Sequence, residues 1–353
     1  MKRRYAGAMK TFFSLVVGND ALCKRFGTDI LNDALPHAFI IEGPDGTGKH
    51  TIARSAAAAL VCESKNDPEK PLPCLCCRAC RSVMESKSPD VIITGRDDGR
   101  STLGIDTARF IREDVRIVPN DFERKIYIIE DADKMTHQAQ NALLLTLEEP
   151  PKYVHFFLLC ENAGNLLETI RSRAPIVRTE ILPTEKIDEY LCSADRRASQ
   201  MKLTDPRAYA ELLTAAESGG IGKALEFLDG RAFAPLKQKR EVVLDLIQSS
   251  IKDRGASESV PALIRLSSKR ETLIEQLTLL SDALRDLILL KRSDSPRLSF
   301  FSDKELAIEL SDKASIAFLY NFEEAVHKTL EELKRNANVK LCLINMAIRA
   351  NIL

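Results

Sequence analysis

The run Gly43-Pro-Asp-Gly46-Thr-Gly48-Lys49-His50-Thr51 has the residue types and spacing to cradle phosphates. It fills the pattern GxxxxGK[ST] up to its last position, where His50 replaces the hydroxyl. In that pattern the glycines let backbone N–H groups converge on phosphate oxygens, the lysine reaches the β and γ phosphates, and the Ser or Thr hydroxyl holds Mg²⁺. Gly43, Gly46, Gly48, Lys49, His50 and Thr51 therefore predict a site for ATP with Mg²⁺ in which binding and hydrolysis are separable. Thr51 does carry a hydroxyl, but one residue of slip turns a side chain about 100° around a helix.

A second cluster is suited to metal. Cys74-Leu-Cys76-Cys77-Arg-Ala-Cys80 contains two overlapping CxxC pairs, and Cys62 lies a short loop upstream. Four thiolates from Cys62, Cys74, Cys77 and Cys80 close a tetrahedral structural Zn²⁺ site without an open position, leaving Cys76 as the spare. Of the nine cysteines, Cys23, Cys160, Cys192 and Cys342 are isolated in apolar sequence and read as small buried hydrophobes.

These residues need a scaffold, and the first half of the chain supplies one. His37 to Glu42 reads as a strand feeding the glycine loop, and Thr51 to Val61 as a helix leaving it with its N-terminus aimed at phosphate. Strand patterns recur at Asp90 to Thr94, Lys125 to Ile129, His155 to Leu159 and Ala174 to Arg178. Helical patterns lie between them at Ile105 to Arg112 and Thr136 to Glu149. Such alternation predicts a parallel sheet covered on both faces, with ligands at the carboxyl ends of its strands.

In P-loop ATPases a strand of that sheet ends in acidic residues that hold Mg²⁺ and activate water. Here Ile128-Ile129 leads into Glu130-Asp131, the usual aspartate-then-glutamate order reversed. Each carboxylate moves by a methylene length, and a displacement of about 1 Å can cost on the order of 10²-fold in rate.

Beyond Leu182 the strand signal fades into amphipathic helices. Gly219-Gly-Ile-Gly222 breaks the chain before one of them, and Ile274, Leu277, Leu280, Leu284, Leu287 and Leu290 form one apolar stripe. Breaks between helices are expected at Lys252 to Ser259 and Lys291 to Pro296. The boundaries follow: an α/β domain over 1–181 with a cysteine knuckle inserted at 62–80, a small helical unit over 182–234, and a further helical region over 235–353.

Composition narrows the function classes. With 51 basic and 51 acidic residues among 353 the net charge is zero, so the chain advertises no general electrostatic grip on nucleic acid. The basic start Met1-Lys-Arg-Arg-Tyr is followed by an apolar run too short for a membrane span and lacking a small-residue cleavage site, which predicts a cytoplasmic protein.

Asn141-Ala-Leu-Leu-Leu-Thr-Leu-Glu-Glu-Pro-Pro151, placed after an acidic strand and before Phe156-Phe-Leu-Leu159, resembles the signature of bacterial DNA polymerase III clamp-loader subunits, a branch of the AAA+ ATPases. Further matching pieces are Val17-Gly18-Asn19, Pro36-His37-Ala38, the cysteine knuckle, Pro89-Asp90-Val91, Ile105-Asp106 and Thr169-Ile-Arg-Ser-Arg173. The likeness covers the first half closely and the lid loosely.

The resemblance implies an α/β P-loop AAA+ domain with a parallel sheet, then a helical lid and an all-α collar. It implies that Arg173 is an arginine finger for a neighbouring subunit's ATP site. It also implies partners: gamma/tau and delta subunits, the sliding clamp, and primer-template DNA reached through the complex. The sequence departs from the hydrolysing branch at His50, at Glu130 and Asp131, and at Gly222, which stands where that branch carries a γ-phosphate-sensing arginine. Cys160 takes the first sensor position and Ala174 that of the family's cysteine. The pattern is similar to the delta-prime type, with weak or no ATPase of its own. A gamma/tau-type motor subunit and a regulatory AAA+ protein outside replication are the rival readings.

Overall fold

The apolar runs of the first half form five strands, β1 Ala38–Glu42, β2 Val91–Thr94, β3 Lys125–Ile129, β4 Val154–Cys160 and β5 Ile176–Arg178. They make one sheet in the order β2-β3-β4-β1-β5, every pair parallel. The computed structural model describes residues 10–95, 102–217, 219–230, 233–252, 256–293, 296 and 298–352.

Side chains alternate across the sheet with the strand period of two. Phe39, Ile41, Ile126, Ile128, Phe157 and Leu159 enter one core beneath α1 Asp20–Leu31 and α2 Lys49–Leu60, into which Cys80 of α3 Arg78–Met84 also packs. Ala38, Ile40, Tyr127, Ile129, Phe156 and Leu158 enter the opposite core, beneath α4 Ile105–Asp114 and α5 His137–Glu148. Helices on both faces explain why these strands read as continuous apolar runs. The short α6 Glu168–Arg171 precedes β5.

The chain divides into two compact units. The sheet and its helices make up the first, Met1–Leu182, which also takes in the distant segment Gly219–Gly222. The second unit, Pro183–Ser218 with Lys223–Leu353, is helical among its described residues: α7 Thr184–Ala194, α8 Arg196–Thr204, α9 Pro206–Ala216, most of α10 Gly220–Leu228, α11 Phe233–Lys252, α12 Ala256–Ile264, α13 Arg270–Leu290, α14 Lys304–Lys313, α15 Ile316–Lys334 and α16 Val339–Arg349. Its core runs along the expected stripe of α13, with Leu277, Leu280, Leu284 and Leu287 fully buried and Ile274 and Leu290 at the edges. An α/β domain built on a parallel sheet, followed by an all-α region among the described residues, is the architecture the resemblance implied.

Several boundaries move. The helix after the glycine loop begins at Lys49, two residues before the expected Thr51, because Gly48 adopts a left-handed φ of 90° and starts the helix there. Lys49 and His50 are thus helical residues. β4 continues through Cys160, β5 is shorter than expected, and α4 extends to Asp114. Part of the break expected from Lys252 is helical, since α12 begins at Ala256. The basic start of the chain and positions 253–255, 294 and 295 lie outside the described residues. Among those described, no helix is long and apolar enough to cross a membrane.

Candidate nucleotide and zinc sites

The glycine loop joins the carboxyl end of β1 to α2, and the acids follow β3 on the same edge of the sheet. Lys49 is buried, and its ammonium donates to the Gly43 carbonyl at 2.5 Å, the Pro44 carbonyl at 2.9 Å and Asp45 Oδ1 at 3.3 Å. Thr47 Oγ1 donates to the Pro44 carbonyl at 2.7 Å and lies 2.8 Å from Thr179 Oγ1. Gly43 leaves no room for a side chain, since a Cβ there would lie 1.9 Å from Thr179 Oγ1.

His50, in the hydroxyl's place, sets its Nδ1 2.9 Å from Glu130 Oε1. The first of the two reversed acids is therefore engaged by the residue that displaced the Mg²⁺ ligand. Asp131 turns through a left-handed φ of 50° and meets Lys134 at 3.1 Å, and Lys134 lies 3.7 Å from Glu161. Asp45, Lys49, His50, Glu130, Asp131, Leu159, Cys160 and Glu161 enclose a cavity of about 200 Å³. Burial, then the charge of Asp45, raises the Glu161 carboxyl. Burial opposes ionisation of Asp45 too, but the charge of Lys49 and the hydrogen bond with Glu161 hold it below the usual range. Burial, reinforced by Asp133 and Glu42, pushes the Cys160 thiol up to about 12, so it remains neutral.

The donor set fits the phosphates better than the metal. Left-handed Gly46 and Gly48, the N-terminus of α2 and Lys49 are groups that could hold phosphate oxygens. On the Mg²⁺ side a histidine stands in for the hydroxyl and occupies an acid that would hold the ion.

Gly219–Gly222 belongs to this same unit. Gly222 N–H donates to the Gly46 carbonyl at 3.0 Å, and a Cβ on Gly222 would lie 2.7 Å from Gly46 Cα. That position 222 carries no charge was legible in the sequence. That the backbone approach excludes any side chain at this position was not.

Arg173 is elsewhere. It precedes β5, which runs parallel to β1 with Ile176 beside Ile40, so it sits at the amino ends of the strands, opposite the phosphate loop. Its guanidinium reaches Glu148 Oε1 at 2.7 Å, the Thr169 carbonyl at 2.8 Å and Ser172 Oγ at 3.4 Å. Strand polarity alone keeps it out of its own chain's nucleotide cavity. Glu148 was unmarked as a partner in the sequence, because the end of α5 and the turn after α6 meet only in the fold.

The four cysteines come together as expected. The sulfurs of Cys62, Cys74, Cys77 and Cys80 all lie within 4.8 Å of one another, with Cys74 and Cys80 at 3.9 Å. A tetrahedral Zn²⁺ with Zn–S bonds of about 2.3 Å sets its sulfurs about 3.8 Å apart. Backbone N–H groups of Cys77 and Cys80 point at the sulfurs of Cys74 and Cys77, at 3.4 and 3.3 Å, which stabilises thiolate ligands. The Cys80 thiol holds Cys62 down, to about 5. These four could hold zinc, and Cys76 is exposed outside the set.

Cys192 departs from its expected apolar setting. It is half-buried, with Sγ 3.3 Å from Asp188 Oδ1 and 3.6 Å from the Tyr209 hydroxyl. Asp188 lies one helical turn away on α7, a spacing visible in the sequence.

The family model described as DNA polymerase III, delta subunit, matches residues 18–182. DNA polymerase III subunit tau of Bacillus subtilis is 27% identical over 91% of this chain and 58% of its own length. Subunit gamma/tau of Mycoplasma pneumoniae is 32% identical over 62% of this chain and 31% of its own length, so the chain spans less than two thirds of these relatives. A solved DNA polymerase III gamma subunit-related protein from Thermotoga maritima aligns with TM-score 0.44 at 19% identity, covering 93% of this chain and 98% of that one. Residues 18–182 are thus similar to the delta-subunit model, and most of the chain is similar to the gamma and tau subunits of DNA polymerase III.

Proposed function

We propose that the chain is a delta-prime-type clamp-loader subunit of a replicative DNA polymerase III. It assembles in the cytoplasm with gamma/tau and delta subunits, helps load the sliding clamp on primer-template DNA, and supplies Arg173 as a finger to a neighbour's ATP site. The observation that carries this reading is the contact of His50 with Glu130, which occupies the Mg²⁺ side of the phosphate loop. Residues 1–181 act as the nucleotide-binding-like domain, 182–234 as the lid and 235–353 as the oligomerisation collar. Gly43, Gly46, Gly48, Lys49 and Thr51 hold phosphate, Glu130 and Asp131 are a degenerate acidic pair, and Cys62, Cys74, Cys77 and Cys80 hold structural Zn²⁺.

ATP with Mg²⁺, when bound, is the phosphoryl donor of such sites. Here Lys49 and the loop N–H groups keep their binding role, while His50 denies Glu130 the freedom to hold the ion or orient water. The test is ATP turnover by the isolated chain and by Lys49→Ala. Little magnesium-dependent turnover is expected before or after the substitution. Robust turnover that Lys49→Ala abolishes would establish the alternative, a gamma/tau-type motor, which the tau relative matching 91% of the chain favours. In the reconstituted complex, Arg173→Ala is expected to depress clamp- and DNA-stimulated ATPase. In other phosphoryl-transfer systems a finger is worth about 10³–10⁵ in kcat at the site it serves. Unchanged activity would remove the finger assignment.

A further inference from the structure

We propose that Glu148 is a positioning residue that parks Arg173 until a more strongly charged anion takes the guanidinium from it; this rests on the reading of Arg173 as a finger. Glu148 is the last residue of α5, fixed there because Pro150 and Pro151 follow within three positions and the helix cannot continue. Arg173 comes to it from the turn after α6. Its NH2 donates to Glu148 Oε1 at 2.7 Å, and its NH1 donates to the Thr169 carbonyl and Ser172 Oγ. Both terminal nitrogens, the fork that would grip phosphoryl oxygens, are thus occupied by acceptors of the arginine's own chain.

Exposure decides whether such a pair is a fixture or a rest. The side chains of Arg173 and Glu148 are 34% and 42% exposed, so water and salt reach both. Lys125 and Asp114, by contrast, pair at 2.9 Å with the lysine side chain only 3% exposed, and that bond is structural. Exposed pairs contribute weakly, whereas bidentate contacts of arginine with phosphate are among the stronger charge-assisted bonds. Exchange of Glu148 for a neighbour's γ-phosphate is therefore favourable. With no phosphate present, the carboxylate keeps the arginine in one orientation.

The test uses the reconstituted clamp loader and reads clamp- and DNA-stimulated ATPase across ATP concentrations at low and high salt. Parking predicts that Glu148→Gln lowers the KM for ATP at low salt by up to about fivefold, the range open to an exposed pair, with kcat unchanged. Wild-type KM should fall toward the Glu148→Gln value as salt screens the pair. Arg173→Ala should lower kcat, and Glu148→Gln should then shift nothing further. An unchanged KM, a lowered kcat in Glu148→Gln alone, or the same KM shift in the Arg173→Ala background would overturn parking while leaving the finger intact. An Arg173→Ala complex with undiminished kcat would instead remove the finger reading itself.

Discussion

His155, the second residue of β4, has only 7% of its surface exposed. Nδ1–H donates to the Pro36 carbonyl at 3.3 Å, while buried Nε2 has no hydrogen-bond partner among the described residues. A proton on Nε2 would have no acceptor among the described residues, and burial pushes the imidazole down to about 4, against the opposing Pro36 bond. In the unfolded chain it titrates near 6.5. Between those values the unfolded state binds the extra proton, so stability is fully present above about pH 6.5 and falls as pH drops to about 4. The drop of about 2.5 units corresponds to at most about 3 kcal/mol. Urea unfolding at pH 7.5 and 4.5 checks this: His155→Gln, which keeps a donor for Pro36, should flatten the dependence. An equally steep acid loss in the variant would assign it to other groups. The sequence marked this position only as the first residue of a strand. Its burial depends on packing from elements distant in sequence, which no local pattern displays.

At the scale of elements, the strand, loop and helix around Lys49 were legible because glycine spacing and apolar alternation are local signals. So was the N-cap of α5, where Thr136 Oγ1 accepts from Ala139 N–H at 3.2 Å. The start of α2 was misplaced by two residues because a left-handed glycine can begin a helix directly. The docking of Gly219–Gly222 was illegible, since backbone meets backbone with no side chain to announce it. Gly222 is not in the left-handed region, so Gly222→Ala meets only a spatial obstacle, with Cβ 2.7 Å from Gly46 Cα and 2.8 Å from its carbonyl oxygen. The overpacking should lower stability by about 1–3 kcal/mol and disturb the phosphate loop. Denaturation midpoints and the amide NMR shifts of Gly46 and Gly48 report the two effects. A loss of less than about 0.5 kcal/mol with unmoved loop resonances would show that the approach is slack.

For the whole molecule, the two units have cores with no residue in common, the helical one running along α13 and the others flanking the sheet. Zinc removal and a helical-core lesion should therefore register in different places. Fresh reduced protein is expected to carry one Zn²⁺ per chain, and chelation should raise hydrogen exchange in α2, α3 and β1 while sparing α13 and α15. Leu284→Ala should do the reverse, at a cost of about 2–5 kcal/mol. Metal far below one equivalent, or protection lost equally in both units, would contradict this division. The first unit also ends in an unusual way for a domain. Gly46 takes its hydrogen bond from Gly222, beyond the first segments of the other unit. The phosphate loop consequently cannot be exchanged between relatives as a simple cassette. A fragment cut after Leu182 would strand the Gly46 carbonyl, and a chimera joined there would pair one parent's loop with the other's glycine segment.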